Sequence, residues 1–365
     1  MMRRTKTRNR LLFVILSCFL TIDSYSQAGT FNYCQQTAAL EDFIVDSALT
    51  TDDAEILIVT NRPFLPQDSL EVLLDNAMAN NKRTTYLIAT CQSKKWHLFR
   101  VDDLKTGLDI INDGHDLLLF IHGNGKTFPM ALSRTSKINF RYNIPIILFD
   151  WPSRNMLITK SVSNVRALNT NFYKLLTQLK GYRQNSMNNT QHLSVFAHSL
   201  GNYFLTNLVM NENNKYLNEV FIDNLILNSS AVETKKHGIA IDKLSFQKNI
   251  YITVNFYDKT LRGANLLTLR KMLGNIAVPP LANKAEYMHF TSIAGYEHTY
   301  FAGYHQFEFD NRAVFEFYNS ILHGSKLNLI NNANYIKRTS ADGYDVLCCP
   351  QPKNAQPESI SQNQF

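Results

Sequence analysis

The stretch Leu193-Ser-Val-Phe-Ala-His-Ser-Leu-Gly-Asn202 decides the fold of this chain. Its first half is an apolar run typical of a buried strand, and a helical pattern follows it. A serine on a sharp strand-to-helix turn is forced outward at the edge of a sheet. Small residues are needed two positions before and after it because the backbones crowd there, and Ala197 and Gly201 supply them. The pattern predicts a nucleophile at Ser199, although an ordinary turn with a capping serine would look similar.

Strands and helices alternate on both sides of this turn. Apolar runs rich in branched residues predict strands at 55–60, 84–90, 96–101, 117–121, 144–149, 192–197, 225–228, 250–256 and 287–293. Apolar residues at three-and-four spacing and similar patterns predict helices at 161–179, 201–211, 261–273 and 313–322. This alternation predicts an α/β fold, with a mostly parallel central sheet and helices on both of its faces.

A His-Gly turn follows the apolar run 117–121, in the order His122-Gly-Asn-Gly125. Chemistry collects at the carboxyl ends of parallel strands, so this turn and Ser199 are expected at one edge of the sheet. Glycine lets the backbone approach a substrate closely. The N–H groups of Asn124 and Leu200 are therefore predicted to form an oxyanion hole. A plain glycine-rich turn is the alternative for this segment.

A serine hydroxyl needs a base to remove its proton and an acid to orient that base. In an α/β-hydrolase the acid follows the serine along the chain. Asp258 comes directly after the run 250–256 and is the preferred acid, although it could also simply cap the next helix. Glu233, after the preceding strand, is the rival acid.

The base must lie beyond the last strand, where two histidines are available. His298 lies a few residues past the run 287–293 and is followed by aromatic residues. His305 lies closer to the final helix. Spacing from the strand favours His298 and spacing to the helix favours His305, and we choose His298. His198 is expected to point away along the turn, which makes it a poor base.

The chain begins as an exported protein would. Residues 1–26 combine a basic start, an apolar run at 11–20 and a small-residue pattern before Gln27, which predicts a secretory signal peptide. An uncleaved anchor and a lipoprotein at Cys18 are the alternatives. The segment holds five basic residues and one acidic residue, so it supplies +4 of the net charge of +7. The remaining chain shows no basic patch with interleaved aromatic residues that would indicate nucleic acid binding.

The predicted organisation is an N-terminal arm at 27–54, a hydrolase domain at 55–339 and a flexible tail at 340–365 that is rich in Gln, Asn, Ser and Pro. The four cysteines beyond the signal peptide allow three disulfide pairings, and the sequence does not choose among them; they are Cys34, Cys91, Cys348 and Cys349. No Cys/His spacing is typical of zinc, so no metal and no cofactor are expected.

Several segments together resemble one known group, the α/β-hydrolases of unknown function catalogued as domain of unknown function 900 (DUF900). The segments that carry the resemblance span about residues 55–323 and are Thr60-Asn-Arg62, His122-Gly123, Phe149-Asp-Trp-Pro-Ser153, Ala197-His-Ser-Leu-Gly-Asn202, Tyr257-Asp-Lys-Thr-Leu261 and His298-Thr-Tyr-Phe301. The resemblance implies serine hydrolase chemistry on a substrate that it does not define.

The sequence as a whole predicts an exported serine hydrolase that forms an acyl-enzyme on Ser199 with Asp258 and His298. Its expected partner is a small ester substrate, with no stable membrane span once the signal peptide is removed. The alternative is a catalytically inactive binding protein of the same fold at the cell envelope.

Overall fold

The strands of the central sheet are the apolar runs of the sequence. The computed structural model describes residues 43–46, 56–63, 83–92, 95–112, 114–153, 158–185, 191–210, 217–235, 237–303, 312–330, 332, 334–338 and 343–347. The strands in these ranges are β1 (Phe43–Asp46), β2 (Ile56–Thr60), β3 (Thr85–Gln92), β4 (Lys95–Val101), β5 (Leu117–Ile121), β6 (Ile146–Asp150), β7 (Leu193–His198), β8 (Ile222–Asn228), β9 (Gln247–Val254), β10 (Ala285–His289), β11 (Tyr335–Lys337) and β12 (Tyr344–Val346).

Helices connect most of these strands. Those in the described ranges are α1 (Leu104–Ile111), α2 (Phe128–Tyr142), α3 (Ile158–Asn185), α4 (Asn202–Met210), α5 (His237–Asp242), α6 (Lys259–Thr268) and α7 (Arg312–Leu322). None of them combines the length and apolar character that crossing a bilayer requires.

The strands form one sheet in the order β1-β4-β3-β2-β6-β5-β7-β8-β9-β10-β12-β11. Pairing is parallel from β2 through β12. Strands β2, β3 and β4 form an antiparallel meander. The mostly parallel sheet confirms the predicted fold class.

Each central strand is buried on both faces because helices cover both. Along β5, Leu117, Leu119 and Ile121 pack into the core beneath α1, α3 and α4. The intervening Leu118 and Phe120 pack into the opposite core, which includes α2 and α7. Side chains alternate across a strand, so a run without polar residues is what a strand between two helical layers requires.

The parallel register brings the ends of the central strands to one edge of the sheet. Ile121 at the end of β5 is paired with Ala197 of β7. His198 at the end of β7 is paired with Asn228, the last residue of β8. The turns that follow these strands, and the turn after β9, are therefore neighbours.

Three boundaries differ from the sequence expectations. The predicted arm contains β1, which pairs with β4. The predicted tail contains β12, which pairs with β10 and β11, so residues 344–346 belong to the sheet and not to a flexible tail. Backbone hydrogen bonds define these short strands, which carry at most three consecutive apolar residues in β1 and no apolar run in β12. Helix α6 ends at Thr268 instead of 273 because Leu269 adopts a left-handed conformation.

Cysteine pairing lies mostly outside the described residues. Cys91 is disulfide-bonded. The other cysteines of the chain, Cys18, Cys34, Cys348 and Cys349, are outside the described ranges.

Candidate active site

The turn after β7 holds Ser199 in a strained conformation. Ser199 has a φ of 52°, in the left-handed region that side chains with a Cβ avoid. It begins a short 3₁₀ turn, Ser199–Gly201, which leads into α4. A Cβ on Gly201 would lie 2.8 Å from the carbonyl oxygens of both Ile121 and His122. Glycine is therefore required there, as the sequence pattern predicts.

The Asn202 side chain fastens this turn. Its Nδ2 donates to the carbonyl oxygens of Ala197 at 3.0 Å and Ser199 at 2.9 Å, and more weakly to that of Asn228 at 3.3 Å. The N–H of Ala231 also donates to the Ser199 carbonyl, at 3.1 Å. Asn202 is buried, so water does not compete for these hydrogen bonds, and they stabilise the strained backbone of the turn. The sequence pattern does not indicate this role of Asn202, although Asn202 directly follows the motif.

The turn after β5 lies against Ser199. A Cβ on Gly123 would come within 2.8 Å of the Ser199 Cβ, so the two backbones approach as closely as glycine permits. Next to it, Asn124 has a buried side-chain Oδ1 without a hydrogen-bond partner among the described residues. Leu200 lies in the first turn of the helical segment, where N–H groups have no acceptor within the helix. Leu200 is therefore part of the serine turn itself, and Asn124 directly follows Gly123, which lies against that turn.

Asp258 and His298 form a buried pair. His298 Nδ1 lies 2.6 Å from Asp258 Oδ2, and because a carboxylate only accepts, the imidazole proton lies on Nδ1. The other carboxylate oxygen, Oδ1, accepts from the N–H of Leu261 at 2.9 Å. Asp258 is therefore both the N-cap of α6 and the partner of His298. The Asp258 side chain is fully buried, whereas 14% of the His298 side chain remains exposed.

The loop that carries His298 is held by a second asparagine. Asn255, directly after β9, donates through Nδ2 to the carbonyl oxygens of Gly295 at 3.0 Å and Glu297 at 3.1 Å. The Ser229 hydroxyl donates to the His298 carbonyl at 3.2 Å. Asparagine at the end of a strand commonly bonds to neighbouring backbone, which is the signal that could have indicated this role.

The two rival residues stand differently. Glu233 Oε2 forms an ion pair with Arg270 Nη1 at 3.1 Å. The backbone of Glu233 pairs with that of Met272 in an isolated antiparallel β-bridge. No hydrogen bond in the described part of the chain joins it to a histidine. His305 lies outside the described residues.

His198 lies beside His298 and does not point away along the turn as the sequence suggested. The two imidazole centroids are 4.7 Å apart. Both N–H bonds of Asn228 are directed to hydroxyl oxygens, those of Thr253 and Tyr318, so its Oδ1 accepts from His198 Nδ1. Burial, together with the neighbouring His298, holds the pKa of His198 well below its ordinary value. His198 is therefore neutral at physiological pH.

A buried ion pair lies beside the turn that follows β5. Arg62 Nε and Asp150 Oδ2 are 2.8 Å apart, and neither side chain is exposed. Arg62 also donates through Nη2 to the carbonyl oxygens of Trp151 at 2.9 Å and Lys126 at 3.2 Å. These contacts tie together the turns after β2, β5 and β6. Burial acts to raise the pKa of Asp150, but the Arg62 guanidinium and the neighbouring His122 together outweigh it and hold the pKa below its ordinary value.

The same network fixes the imidazole of His122. The N–H of Trp151 donates to His122 Nε2 at 3.1 Å, so the proton lies on Nδ1, 2.9 Å from the Gly123 carbonyl. The His122 imidazole and the Trp151 indole are stacked, with ring centroids 5.4 Å apart. Burial lowers the pKa of His122, which keeps it neutral. The sequence motifs include Arg62 and Asp150 but do not indicate that the two pair, because they lie 88 positions apart.

No hydrogen bond joins the Ser199 hydroxyl to His298 in the described part of the chain, although both residues share neighbours. Ser199 is chain neighbour to His198, which packs on His298, and the segment from Ser229 to Ala231 contacts the backbone of both residues. Neither the Ser199 hydroxyl nor His298 Nε2 bonds to another described residue. Catalytic hydrogen bonds are often loose in the absence of substrate. Within the described ranges, no cluster of three or more His, Cys, Asp or Glu side chains could hold a metal ion.

Comparison with known proteins yields one family. A family described as alpha/beta hydrolase of unknown function (DUF900) matches residues 102–294, which is more than half of the chain. The match includes Asn124, Ser199 and Asp258, and it ends before His298. It is shorter than the stretch over which the sequence motifs suggested resemblance. The comparisons with curated proteins and with solved structures find no match.

Proposed function

The chain belongs to the family of α/β-hydrolases of unknown function (DUF900), and from this premise we propose that it is a serine hydrolase of carboxylic esters with Ser199 as its nucleophile. One observation carries the proposal: the Asp258–His298 pair, joined at 2.6 Å, lies at the edge of the sheet where the strained Ser199 turn emerges. A histidine oriented by a buried carboxylate is what activates a serine hydroxyl.

The proposed reaction proceeds through an acyl-enzyme. The Ser199 oxygen attacks the ester carbonyl carbon while His298 Nε2 takes the hydroxyl proton, and Asp258 stabilises the resulting imidazolium. The N–H groups of Asn124 and Leu200 bind the developing oxyanion. His298 then gives the proton to the departing alcohol. Water, activated in turn by His298, releases the acid and restores the serine.

Labelling with a fluorophosphonate tests the proposal, because only an activated serine reacts with it. The wild-type chain is expected to be labelled and Ser199→Ala is not. His298→Gln should slow labelling roughly 10²- to 10⁴-fold by removing the base. His323→Gln is the matched control: it breaks another His–Asp pair, with Asp116 at 3.1 Å, at the opposite end of β5. Equal labelling of His298→Gln and His323→Gln would refute the assignment of the base.

A further variant separates the two functions of Asp258. Asparagine caps helices as well as aspartate does, so Asp258→Asn should preserve the cap at Leu261. An asparagine cannot stabilise the imidazolium and its amide can favour the wrong tautomer of His298, so labelling should slow by roughly 10²-fold or more. Unchanged labelling with unchanged stability would exclude Asp258 as the acid.

The second candidate function is that of a binding protein without catalysis. The absence of a hydrogen bond from the Ser199 hydroxyl to His298 is the observation that favours it. In that case the fluorophosphonate would not label the folded wild-type chain at all, and short nitrophenyl esters would be hydrolysed at the same rate by wild type and Ser199→Ala.

Export through the N-terminal segment is part of the same proposal. The disulfide bond of Cys91 supports it, because disulfides persist mainly outside the cytoplasm. Expression with its own N-terminus should give an extracytoplasmic protein that starts at Gln27, as read by N-terminal sequencing. A cytoplasmic protein that retains residues 1–26 would contradict export.

A further inference from the structure

Helix α6 presents apolar and basic side chains to solvent. Its only buried residue is Leu261, whereas Leu266 and Leu267 are exposed, as is Leu269 directly after the helix. A surface helix of a globular domain normally turns its large apolar residues inward. The stretch 259–271 contains no acidic residue and four basic ones, Lys259, Arg262, Arg270 and Lys271.

Leu269 is retained at a position that suits glycine. It closes α6 with a φ of 56°, and 88% of its surface is exposed. Glycine is the usual residue at such a left-handed helix end because it has no Cβ. A leucine there costs folding free energy and buries almost nothing in return. An outlier of this kind indicates a function that the isolated fold does not account for.

Exposed aromatic rings extend this surface to the candidate active site. The rings of Phe256 and Tyr257 are 5.7 Å apart, and those of Tyr257 and Tyr296 are 6.0 Å apart. Lys259 Nζ lies 4.3 Å from the Tyr296 ring centroid. Tyr257 directly precedes Asp258. Rings with an apolar body and a polar tip are characteristic of the boundary between membrane and water.

The positive charge of this surface favours an anionic partner. Arg270 is partly neutralised by Glu233 at 3.1 Å. Arg262 and Lys271 form no ion pair with any residue that the structure describes. A helix with basic residues and exposed leucines is suited to the anionic headgroups and the upper acyl region of a bilayer.

We propose that α6, together with Leu269, Phe256, Tyr257 and Tyr296, docks onto the surface of an anionic phospholipid bilayer. The helix lies in the plane of the interface, with its leucines and the aromatic rings at the headgroup boundary. Asp258 caps the docked helix, so docking brings the Asp258–His298 pair to the lipid surface. The substrate class, which rests on the proposed hydrolase function, is then an ester of an amphiphile in that surface.

A tryptophan placed on α6 tests docking directly. The two tryptophans of the chain, Trp96 and Trp151, are buried and should not respond to lipid. Leu266→Trp should show a blue-shifted emission, quenched by brominated lipid, with phosphatidylglycerol vesicles and not with phosphatidylcholine vesicles. Ile330→Trp is the matched control, since Ile330 is 89% exposed and lies in the segment that follows α7. An unchanged emission in Leu266→Trp, or an equal shift in both variants, would overturn the proposal.

Leu269→Gly provides a test that misfolding cannot imitate. Removing the exposed side chain should lower partitioning to phosphatidylglycerol vesicles roughly tenfold, while relief of the left-handed strain raises the urea midpoint. The full chain is used throughout, so the N-terminal apolar run is the same in every variant. Unchanged partitioning, or a concentration-dependent dimer that Leu269→Gly dissociates, would assign the surface to another role and refute docking on lipid.

The docking and hydrolase proposals fail separately. Vesicle binding without fluorophosphonate labelling would leave the docking surface intact and refute the hydrolase. Labelling of Ser199 without vesicle binding would support the hydrolase and refute docking on lipid.

Discussion

The conformation of Ser199 predicts that glycine at position 199 gives a more stable protein than alanine, which is the reverse of their order inside an ordinary helix. At a φ of 52°, a residue with a Cβ loses roughly 1–2 kcal/mol. Glycine avoids this loss, but its greater freedom in the unfolded chain offsets about 0.5–1 kcal/mol of the gain. Ser199→Gly should therefore be more stable than Ser199→Ala by about 0.5–1 kcal/mol. The hydroxyl bonds to no described residue, so Ser199→Ala itself should leave stability nearly unchanged.

The matched control is Ser163, an exposed residue inside α3 (Ile158–Asn185). There glycine should be less stable than alanine by about 1 kcal/mol, because a helix interior favours alanine. Urea unfolding measures both pairs. With a slope of about 3 kcal/mol per molar, the midpoint of Ser199→Gly should lie about 0.2–0.3 M above that of Ser199→Ala. The Ser163 pair should show a shift of similar size in the opposite direction.

A Ser199→Ala protein as stable as Ser199→Gly, or more stable, would refute the reasoning. It would mean that the turn relaxes once the hydroxyl is lost, so that no strain is stored there. Both Ser199 variants should fail to react with the fluorophosphonate, which separates the stability of the turn from its chemistry.

Three further predictions concern the surroundings of the turn. Gly123→Ala places a Cβ 2.8 Å from the Ser199 Cβ, so labelling of Ser199 should slow roughly 10²-fold, the size of effect seen when an oxyanion donor is lost. Asp150→Asn removes the carboxylate that pairs with the buried Arg62 guanidinium, and should lower the unfolding free energy by about 3–5 kcal/mol in urea titrations. His198 is held neutral in the fold, whereas the unfolded chain takes up a proton below about pH 6.5. Through this residue stability should fall by about 1–2 kcal/mol between pH 6.5 and 5, and His198→Gln should reduce the slope to the part contributed by other buried histidines such as His122.

Each of these predictions has a clear contrary outcome. Gly181 in α3 has nothing within 4 Å of an added Cβ, so Gly181→Ala should label at the wild-type rate. Equally slow labelling of Gly123→Ala and Gly181→Ala would show that the close approach of Gly123 to Ser199 is not the cause of the effect. A stability curve that is flat from pH 7.5 to 5 would show that the fold does not keep His198 neutral. An Asp150→Asn protein as stable as wild type would show that the buried Arg62–Asp150 pair does not stabilise the fold.

The fold followed from the sequence because its signals are local. Apolar runs such as 117–121 are what strands between two helical layers require, and their alternation with helical patterns leaves few topologies other than a mostly parallel sheet. The residues proposed for chemistry could be named as candidates for the same reason, since Ser199 directly follows β7 and Asp258 and His298 lie in the loops after β9 and β10. Ser199 in particular is flanked by the small residues that its turn demands.

What the tertiary structure alone decided depends on contacts between residues far apart in the chain. Arg62 and Asp150 meet across 88 positions, and His198 packs against His298 although its own turn suggested otherwise. The short strand β12 joins the sheet through backbone hydrogen bonds, which leave little trace in side-chain pattern. Local patterns determine which elements form, because propensity and burial act within a few residues. Only packing determines which ends of those elements touch, and in this protein the candidate site consists of such ends.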